Sequence, residues 1–348
     1  MIKRLVTLIA ATALVALSAG AQAVDRDMLL TTDGTLYTIE SVAPDADAHA
    51  GDDCLRTLVV TTQEGSDTTR TVVPYALSNG VHWRPALAYD ADSKTLFVFW
   101  THSPNAMSSE LLFCTLSADG TWSDVTTFEG RSFRLRYNLA IAVTRKLSTP
   151  QPDNTFFQQP GISAHAVWWE ETGNGEQARY AMLTVEKGAV TSIETRDLVT
   201  FLDGSDAPSD LTPGVDAEIF RHPSIFESPA HDTVDVIFGD PAANRFNRIN
   251  IRPVAQGRLH VPVGKQTGGY SGPTMFAVSA EADRSTLSIH SLWDRETNNL
   301  LFYYYAGNSV QYLMNRDGKW SATKSVAMKG GLNAEAAPEV LRRMMAAQ

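Results

Sequence analysis

A short unit of apolar runs and polar turns recurs along this chain and constrains its fold more than any other feature. In its clearest copy, apolar runs lie at residues 84–89, 95–100 and 110–116. The runs are short, together rich in aromatic and β-branched residues, and separated by turns that contain Asp, Asn, Ser or Gly, which is typical of strands rather than helices. A turn at Gly120 then leads toward a fourth strand.

The unit keeps a nearly constant separation between an aromatic residue and a later turn glycine. The pairs, with their separation in residues, are Trp100 and Gly120 (20), Trp169 and Gly188 (19), Phe238 and Gly257 (19), and Trp293 and Gly318 (25). We interpret the longer fourth interval as a longer hairpin at residues 306–311. Repeats of short antiparallel strands at this spacing are typical of propeller blades. The sequence therefore predicts an all-β protein: one β-propeller of five or six four-stranded blades over residues 24–330, with the repeated aromatic residues packed in its core.

The two ends of the chain differ in character from the repeat. Lys3 and Arg4 precede an apolar run at residues 5–17, and small residues end at Ala23, a pattern that predicts a cleaved, bacterial-type export signal over residues 1–23. The run is shorter than the ~20 residues that a membrane span needs. We expect a periplasmic or secreted protein with no membrane span after cleavage. Residues 331–348 are rich in helix formers and predict a short C-terminal helix.

The charge balance excludes some classes of partner. The chain has 29 Lys and Arg against 39 Asp and Glu, for a net charge of −10. Affinity for phosphate backbones and anionic membrane surfaces comes mainly from clustered Lys and Arg. Nucleic acid is therefore not an expected partner, and neither is a membrane surface.

Two further predictions concern a disulfide and a metal. Cys54 and Cys114 are the only cysteines, and an exported chain with an even number commonly pairs them, so we expect a disulfide; two buried free thiols are the alternative. The loop carrying Asp45, Asp47 and Asp52 is expected to be a solvated acidic loop, although its oxygen ligands would also suit Ca²⁺. No other cofactor is expected.

Polar residues at strand ends define a candidate site. In a propeller, the loops that enter the inner strands and those that follow the second strands open on one face. Candidate ligand-binding residues at inner-strand entries are His82, Arg84, Arg221 and His222, and candidate acids at second-strand ends are Glu170, Asp240 and Asp294. Arginines there would fork onto a carboxylate or sulfate, and carboxylates would bind sugar hydroxyls or cleave a glycosidic bond. Alternatively, each residue caps a turn of its own blade.

Three segments carry a resemblance to the sialidase superfamily. Residues 220–225 (Phe-Arg-His-Pro-Ser-Ile) resemble the Phe-Arg-Ile-Pro element of sialidases, residues 117–122 are similar to their Asp-box turns, and residues 316–320 share the Asp-Gly-x-Trp end of such a turn. The resemblance implies a sialidase-like blade architecture. It also implies that Arg221 grips the carboxylate of an acidic sugar.

These observations lead to one preferred function and two alternatives. The preferred function is an exported β-propeller binding protein that recognises a glycan, or an envelope or extracellular partner, at its axial mouth. The first alternative is a glycoside hydrolase of sialidase-like architecture, in which two among Glu170, Asp240 and Asp294 supply acid and nucleophile. The second is a non-catalytic scaffold or assembly protein, which would instead use a flat outer surface.

Overall fold

In the described part of the chain, every secondary-structure element longer than one residue is a β-strand. The computed structural model describes residues 26–31, 34–44, 54–105, 107–134, 136–145, 162–172, 175–186, 189–202, 223–227, 234–240, 245–254, 258–260, 269–271, 290–294, 299–306, 309–327 and 341. The predicted all-β class is confirmed. Within these ranges, no helix has the length and apolarity that crossing a membrane requires. The predicted export signal, the Asp45–Asp52 loop, Arg221 and His222 lie outside the described residues.

The first sheet contains two consecutive antiparallel meanders. The first meander comprises β1 (Arg26–Leu30), β2 (Leu36–Val42), β3 (Cys54–Glu64) and β4 (Asp67–Val72). The second meander comprises β5 (Gly80–Asp90), β6 (Thr95–Asn105), β7 (Ser108–Leu116) and β8 (Thr126–Ser132). A short parallel pairing of Cys54 with Gly80 and of Arg56 with Val81 joins β3 to β5. The predicted strands 84–89, 95–100 and 110–116 are therefore the interiors of β5, β6 and β7.

Three more sheets follow in chain order. The third meander comprises β9 (Arg136–Arg145), β10 (Ile162–Thr172), β11 (Gly175–Glu186) and β12 (Ala189–Leu202). The fourth comprises β13 (Ser224–Glu227), β14 (Val234–Asp240), β15 (Arg245–Val254), β16 (Arg258–His260) and β17 (Gly269–Ser271). The fifth comprises β18 (His290–Asp294), β19 (Asn299–Ala306), β20 (Ser309–Arg316), β21 (Lys319–Trp320) and β22 (Lys324–Ala327). Neighbouring strands are antiparallel in all three sheets.

Apolar side chains fill the spaces between successive meanders. Phe128 of the second meander packs edge-on against Phe99 and against Trp168 of the third, with ring centroids 5.3 and 5.8 Å apart. On the other side of each sheet, Trp100 lies in the cluster shared with the first meander, and Trp169 lies in the cluster shared with the fourth. Trp100 and Trp169 are fully buried, so their predicted packing role is confirmed. The side chains of Phe238 and Trp293 lie outside the described residues.

The first strands of the meanders contact one another in chain order. Contacts join β1 to β5, β5 to β9, β9 to β13 and β13 to β18. Ser291 of β18 donates a 2.6 Å hydrogen bond to Ser224 of β13. His290 of β18 reaches back to β1, with its Nδ1 3.4 Å from Asp27 Oδ1. The other oxygen of Asp27 accepts a hydrogen bond from the Leu87 amide of β5, so first and last meanders meet beside the second.

The fourth predicted copy holds one described strand more than the others. Trp100, Trp169 and Phe238 lie in β6, β10 and β14, and one described strand separates each of them from the glycine of its copy. Trp293 lies in β18, and both β19 and β20 stand between it and Gly318. The 25-residue interval therefore holds an additional strand rather than a longer hairpin.

Two turns share a serine clamp. They follow β7 and β20, with Gly120 and Gly318 at φ of 82° and 77°, a conformation that favours glycine. In the first turn, the Ser123 hydroxyl accepts a hydrogen bond from the Thr115 amide, and the Ser123 amide bonds back to the Thr115 carbonyl. Ser321 makes the same pair of bonds with Met314. The similarity of these turns extends one residue beyond the Asp-Gly-x-Trp pattern.

The predicted disulfide is wrong: Cys54 and Cys114 are free, buried thiols. Cys54 lies in β3 and Cys114 in β7, and two strands separate β3 from β7 in the sheet. Three strand spacings of ~4.8 Å would put the two chains about 14 Å apart. A disulfide needs Cα atoms within ~7 Å of each other. Cys114 instead fills the core between the first and second meanders.

Two thiols per chain are therefore expected to react with Ellman's reagent after unfolding in denaturant without any reductant. In the folded protein we expect little reaction, because burial raises the pKa of both thiols and blocks the reagent. Absorbance at the end of the reaction counts the thiols. A count near zero without reductant, rising to two after dithiothreitol, would show that the cysteines are paired.

Candidate functional site

Polar side chains concentrate along one edge of the second and third meanders. Because neighbouring strands are antiparallel, β5, β7 and β9 begin at the edge where β6, β8 and β10 end. The pairing of Ser109 with Ser132 marks this edge in the second meander, and the pairing of Arg136 with Glu170 marks it in the third. We call it the shared edge. His82, near the start of β5, and Glu170, near the end of β10, both lie at this edge.

A cluster of charged residues surrounds Glu170 at the shared edge. Its Oε1 accepts a hydrogen bond from Arg134 Nη1 at 2.5 Å, and its Oε2 accepts bonds from Arg136 Nε at 3.0 Å and Arg179 Nη1 at 3.4 Å. Glu129 adds a second carboxylate, bonded by Arg136 and Arg179. We call these five residues the arginine cluster. It holds three guanidinium groups on two carboxylates.

Sheet register explains why these side chains meet. Arg136 of β9 lies directly opposite Glu170 of β10, and Arg179 of β11 is a diagonal neighbour of Glu170 on the same face. Cross-strand and diagonal pairs lie within reach of long side chains. Arg179 also faces Asp197 of β12, to which its Nε donates a 3.1 Å hydrogen bond. Arg179 is braced further by the Trp168 ring, 5.7 Å from its Cζ.

The environment keeps Glu170 ionised. Burial raises the pKa of this carboxyl, but hydrogen bonds from Arg134 and Arg136 and the charges of Arg136 and Arg179 outweigh burial, so the pKa is lowered overall. The side chain is completely buried, and both oxygens accept bonds from guanidinium groups. A carboxylate held in this way is a poor proton donor and is shielded from a sugar by its own arginines.

Arg136 and Arg134 differ in burial and in the number of hydrogen bonds that their guanidinium groups donate to the protein. Arg136 is almost completely buried and also donates through Nη1 to the carbonyl oxygens of Ser109 and Gly130. Arg134, on the connection between β8 and β9, is half exposed and donates through Nη1 to Glu170. Arg136 therefore ties two meanders together, while Arg134 has donors left for another molecule.

An exposed aromatic residue stands next to Arg134. Phe133 is 84% exposed, the highest value among the large hydrophobic residues that the structure describes. The side chains of Arg131 and Arg134, on either side of it, are 56% and 50% exposed. The acids beneath them, Glu110 and Glu170, are mostly or wholly buried. At this corner an apolar ring and two positive charges are thus presented to solvent.

A pair of stacked histidines lies further along the shared edge, in the second meander. His82, His102 and Glu110 are directly opposite one another across β5, β6 and β7. The two imidazole rings stack with centroids 4.3 Å apart. His102 Nδ1 lies 2.7 Å from Glu110 Oε1, and its Nε2 lies 2.7 Å from the carbonyl oxygen of Asn79. The carbonyl oxygen of Asn79 can only accept, so His102 Nε2 donates to it.

The neighbouring His82 is neutral and does not activate a serine. Trp100 Nε1, which can only donate, bonds to His82 Nδ1 at 3.1 Å. The proton of the neutral ring is therefore on Nε2, from which it is donated to the Ser78 hydroxyl at 3.1 Å. Burial, followed by the nearby charge of His102, lowers the pKa of His82 to about 3. A Ser–His nucleophile needs the opposite tautomer, with Nε2 as acceptor.

The other predicted site residues lie in separate surroundings. Arg84 adopts a φ of 48° at a bulge in β5, with its Cζ 4.6 Å from the centroid of the Trp83 ring. Asp240 ends β14, a second strand, although its side chain lies outside the described residues. Asp294 ends β18, where it pairs with Asn299 of β19, and its side chain lies outside the described residues.

Sequence reasoning missed most of the arginine cluster. Arg131, Arg134 and Arg136 fall within six residues of each other, and this local density of arginine was the available signal. Arg179 and Glu129 carry no comparable signal, because only the register of β10, β11 and β8 brings them to Glu170. Within the described ranges, no group of three or more His, Cys, Asp or Glu side chains is placed to hold a metal ion.

No protein-family model and no curated protein sequence matches this chain. Among solved structures, it is similar to a Hadza microbial sialidase, with 12% identity and a TM-score of 0.42 over 88% of this chain and 58% of the sialidase. It is also similar to an α-L-arabinanase from Penicillium chrysogenum, with 12% identity and a TM-score of 0.42 over 87% and 76% of the two chains. An endo-arabinase from Bacteroides thetaiotaomicron gives 12% identity and a TM-score of 0.39 over 87% and 98%. One of these three solved structures is thus a sialidase, and the other two are arabinanases.

Proposed function

We propose that this chain is a five-bladed β-propeller that binds an acidic glycan at the shared edge of its second and third meanders. The five-bladed architecture is supported by the five meanders and by the contacts of their first strands in chain order. The contact of His290 with Asp27 supports closure, because it joins the fifth meander to the first. Stacking the meanders around an axis lets each one cover its neighbour.

The observation that carries the binding function is the corner formed by Arg131, Phe133 and Arg134. Because hydrophobic stabilisation comes from burial, the Phe133 ring, which is 84% exposed, contributes little to the stability of the fold. Exposed aromatic residues beside arginines are typical of recognition surfaces. A phenyl ring can pack against the apolar face of a sugar, and guanidinium groups can fork onto its carboxylate or sulfate. An acidic glycan satisfies both features at once.

The enzyme alternative needs a different pair of acids from those at the shared edge. A retaining glycosidase uses carboxyl groups ~5–5.5 Å apart, and an inverting one ~6.5–9.5 Å apart. Glu170 is occupied by three arginines. Asp240 and Asp294 are then the remaining candidates among the three predicted acids. Binding without turnover is therefore the function that this geometry favours.

We expect the chain starting at Val24 to bind uronate- or sulfate-bearing glycans on an array and to leave fluorogenic glycosides intact. Phe133→Ala and Arg131→Ala are each expected to weaken binding about ten-fold, because each removes an interaction worth ~1.4 kcal/mol. Titration calorimetry with a short oligogalacturonate or a heparin oligosaccharide gives the dissociation constants.

Matched variants elsewhere on the surface control for general effects. Leu55→Ala removes an exposed apolar side chain of β3, and Arg70→Ala removes an exposed arginine of β4. Both are expected to bind like the wild type. Equal affinity in Phe133→Ala and Leu55→Ala would rule out the proposed corner. Turnover of a glycoside would instead establish the hydrolase, with Asp240→Asn as the next variant.

Two further proposals, the cleaved export signal and a ligand-binding role for Arg221, each have a direct test. Mass spectrometry of the purified chain from a bacterial periplasm should show Val24 as the first residue if residues 1–23 are cleaved. Arg221→Ala in the glycan array reports whether that residue also contacts the acidic group. Loss of binding in Arg221→Ala, with none in Arg131→Ala, would move the site toward the fourth meander.

A further inference from the structure

We infer that Glu170 is a positioning residue: its buried carboxylate holds Arg134 so that one edge of that guanidinium stays ready to receive the acidic group of a ligand. The inference rests on the proposed glycan-binding function for its purpose but on the described contacts for its geometry. Glu170 touches no solvent, and Arg134 is half exposed. The pair therefore reaches from the interior to the surface.

The atoms of Arg134 define which edge is left. Arg134 Nη1 donates to Glu170 Oε1. This hydrogen bond therefore leaves the edge formed by Nε and Nη2 unused. The Nε and Nη2 hydrogens point in parallel from the other edge and form the fork that binds two oxygens of one anion. A guanidinium held by one hydrogen bond loses less rotamer entropy when it binds than a freely moving side chain does.

The rest of the arginine cluster fixes Glu170 itself. Arg136 and Arg179 bond to its second oxygen, and both also bond to Glu129. Arg136 is anchored to the carbonyl oxygens of Ser109 and Gly130. These contacts fix the position of the Glu170 carboxylate, and that position in turn determines where the Arg134 guanidinium lies. This network differs from a catalytic site, because Glu170 acts through Arg134 and does not itself reach a ligand.

The first test needs no ligand and no variant. Arg131 and Arg134 are exposed to nearly the same extent, at 56% and 50%. Phenylglyoxal modifies arginine, and peptide mass spectrometry separates the rates of the two residues. We expect Arg134 to react about ten-fold more slowly than Arg131, the factor that corresponds to one charge-assisted hydrogen bond. Equal rates in the wild type would overturn the inference.

The second test shortens the anchor while keeping its charge. Glu170→Asp withdraws the carboxylate by one methylene, and labelling of Arg134 is then expected to approach the rate of Arg131. Asp197→Asn is the matched control, since Asp197 belongs to the same network but bonds to Arg179 rather than to Arg134. Circular dichroism establishes that each variant is folded. A folded Glu170→Asp with unchanged Arg134 labelling would contradict the positioning role.

Affinity for an oligogalacturonate probe then separates this inference from the proposed function. Folded Glu170→Asp is expected to bind about ten-fold more weakly than the wild type. Arg134→Lys keeps a positive charge but has no fork, so it should bind as weakly as Arg134→Ala. If the wild type fails to bind any acidic glycan, the proposed function falls while the labelling rates still decide the positioning role. If Arg134→Lys binds like the wild type, the proposal that Nε and Nη2 of Arg134 bind two oxygens of one anion is wrong.

Discussion

Glu170→Ala is expected to lower the free energy of unfolding by about 3–5 kcal/mol, the usual cost of removing one partner from a buried ion pair. The loss is large because Arg136 is almost completely buried and would lose a carboxylate without gaining water. Urea unfolding at pH 7, followed by tryptophan fluorescence, measures the change. Trp168 and Trp169 lie near the substitution and should report it.

Asp197→Ala provides the comparison for that result. Asp197 also bonds to Arg179, but its side chain is 61% exposed, so the pair is screened by solvent. Exposed pairs contribute at most ~1 kcal/mol. If Glu170→Ala costs no more than Asp197→Ala, the arginine cluster does not stabilise the fold and its description as a link between two meanders is wrong.

Acid is expected to unfold the protein between about pH 6 and pH 3, because burial lowers the pKa of several histidines, His165 and His82 most strongly. His165 bonds to the hydroxyls of Thr144 and Tyr180 at 2.7 and 2.6 Å, and burial lowers its pKa from 6.5 to about 3. The pKa of His82 falls to the same value for the reasons given above. Between the two values, the unfolded chain binds protons that the folded chain does not, so stability falls as pH falls.

The expected size of the acid effect follows from the shift. At pH 4, each histidine contributes a loss on the order of 3 kcal/mol, at ~1.4 kcal/mol per pKa unit. Above pH 6.5 both states are neutral at these positions and the effect vanishes. Glu170 adds to the loss only below its ordinary value of 4.5, since its pKa is lowered in the fold.

Urea unfolding at several pH values from 7 to 4 measures this dependence. His165→Gln removes one of these titrating groups, so the variant should be less stable at pH 7 and its stability should depend less on pH. A variant with the same slope as the wild type would show that His165 is not the source of the acid sensitivity. The double variant with His82→Gln should flatten the profile further.

Much of the β-structure could be predicted because it depends on local chemistry. Turn residues bound short apolar runs, so the interiors of β5, β6 and β7 were placed correctly from the sequence. The burial of Trp100 and Trp169 followed from the same repeat. The longer hairpin expected in the fourth copy is wrong, because both β19 and β20 lie between Trp293 and Gly318. The number of residues between an aromatic residue and a glycine does not determine how many strands lie between them.

The site could be predicted only in part because it depends on register. The search for acids at strand ends found Glu170, but its role depends on which side chains lie opposite and diagonal to it. Arg179 is adjacent to Glu170 only once β10 and β11 are paired. The cysteine prediction failed for a similar reason, since chain separation does not reveal that β5 and β6 lie between Cys54 and Cys114.

The contact between β1 and β18 has a consequence for how the chain acquires its structure. His290 follows Asp27 by about 260 positions, so a ribosome exposes β1 long before its partner exists, and contacts of such range slow folding. Until β18 emerges, the Asp27 side chain and the apolar flank of the first sheet have only the second meander to cover them. The contact between His290 and Asp27 can therefore form only after most of the chain has been synthesised.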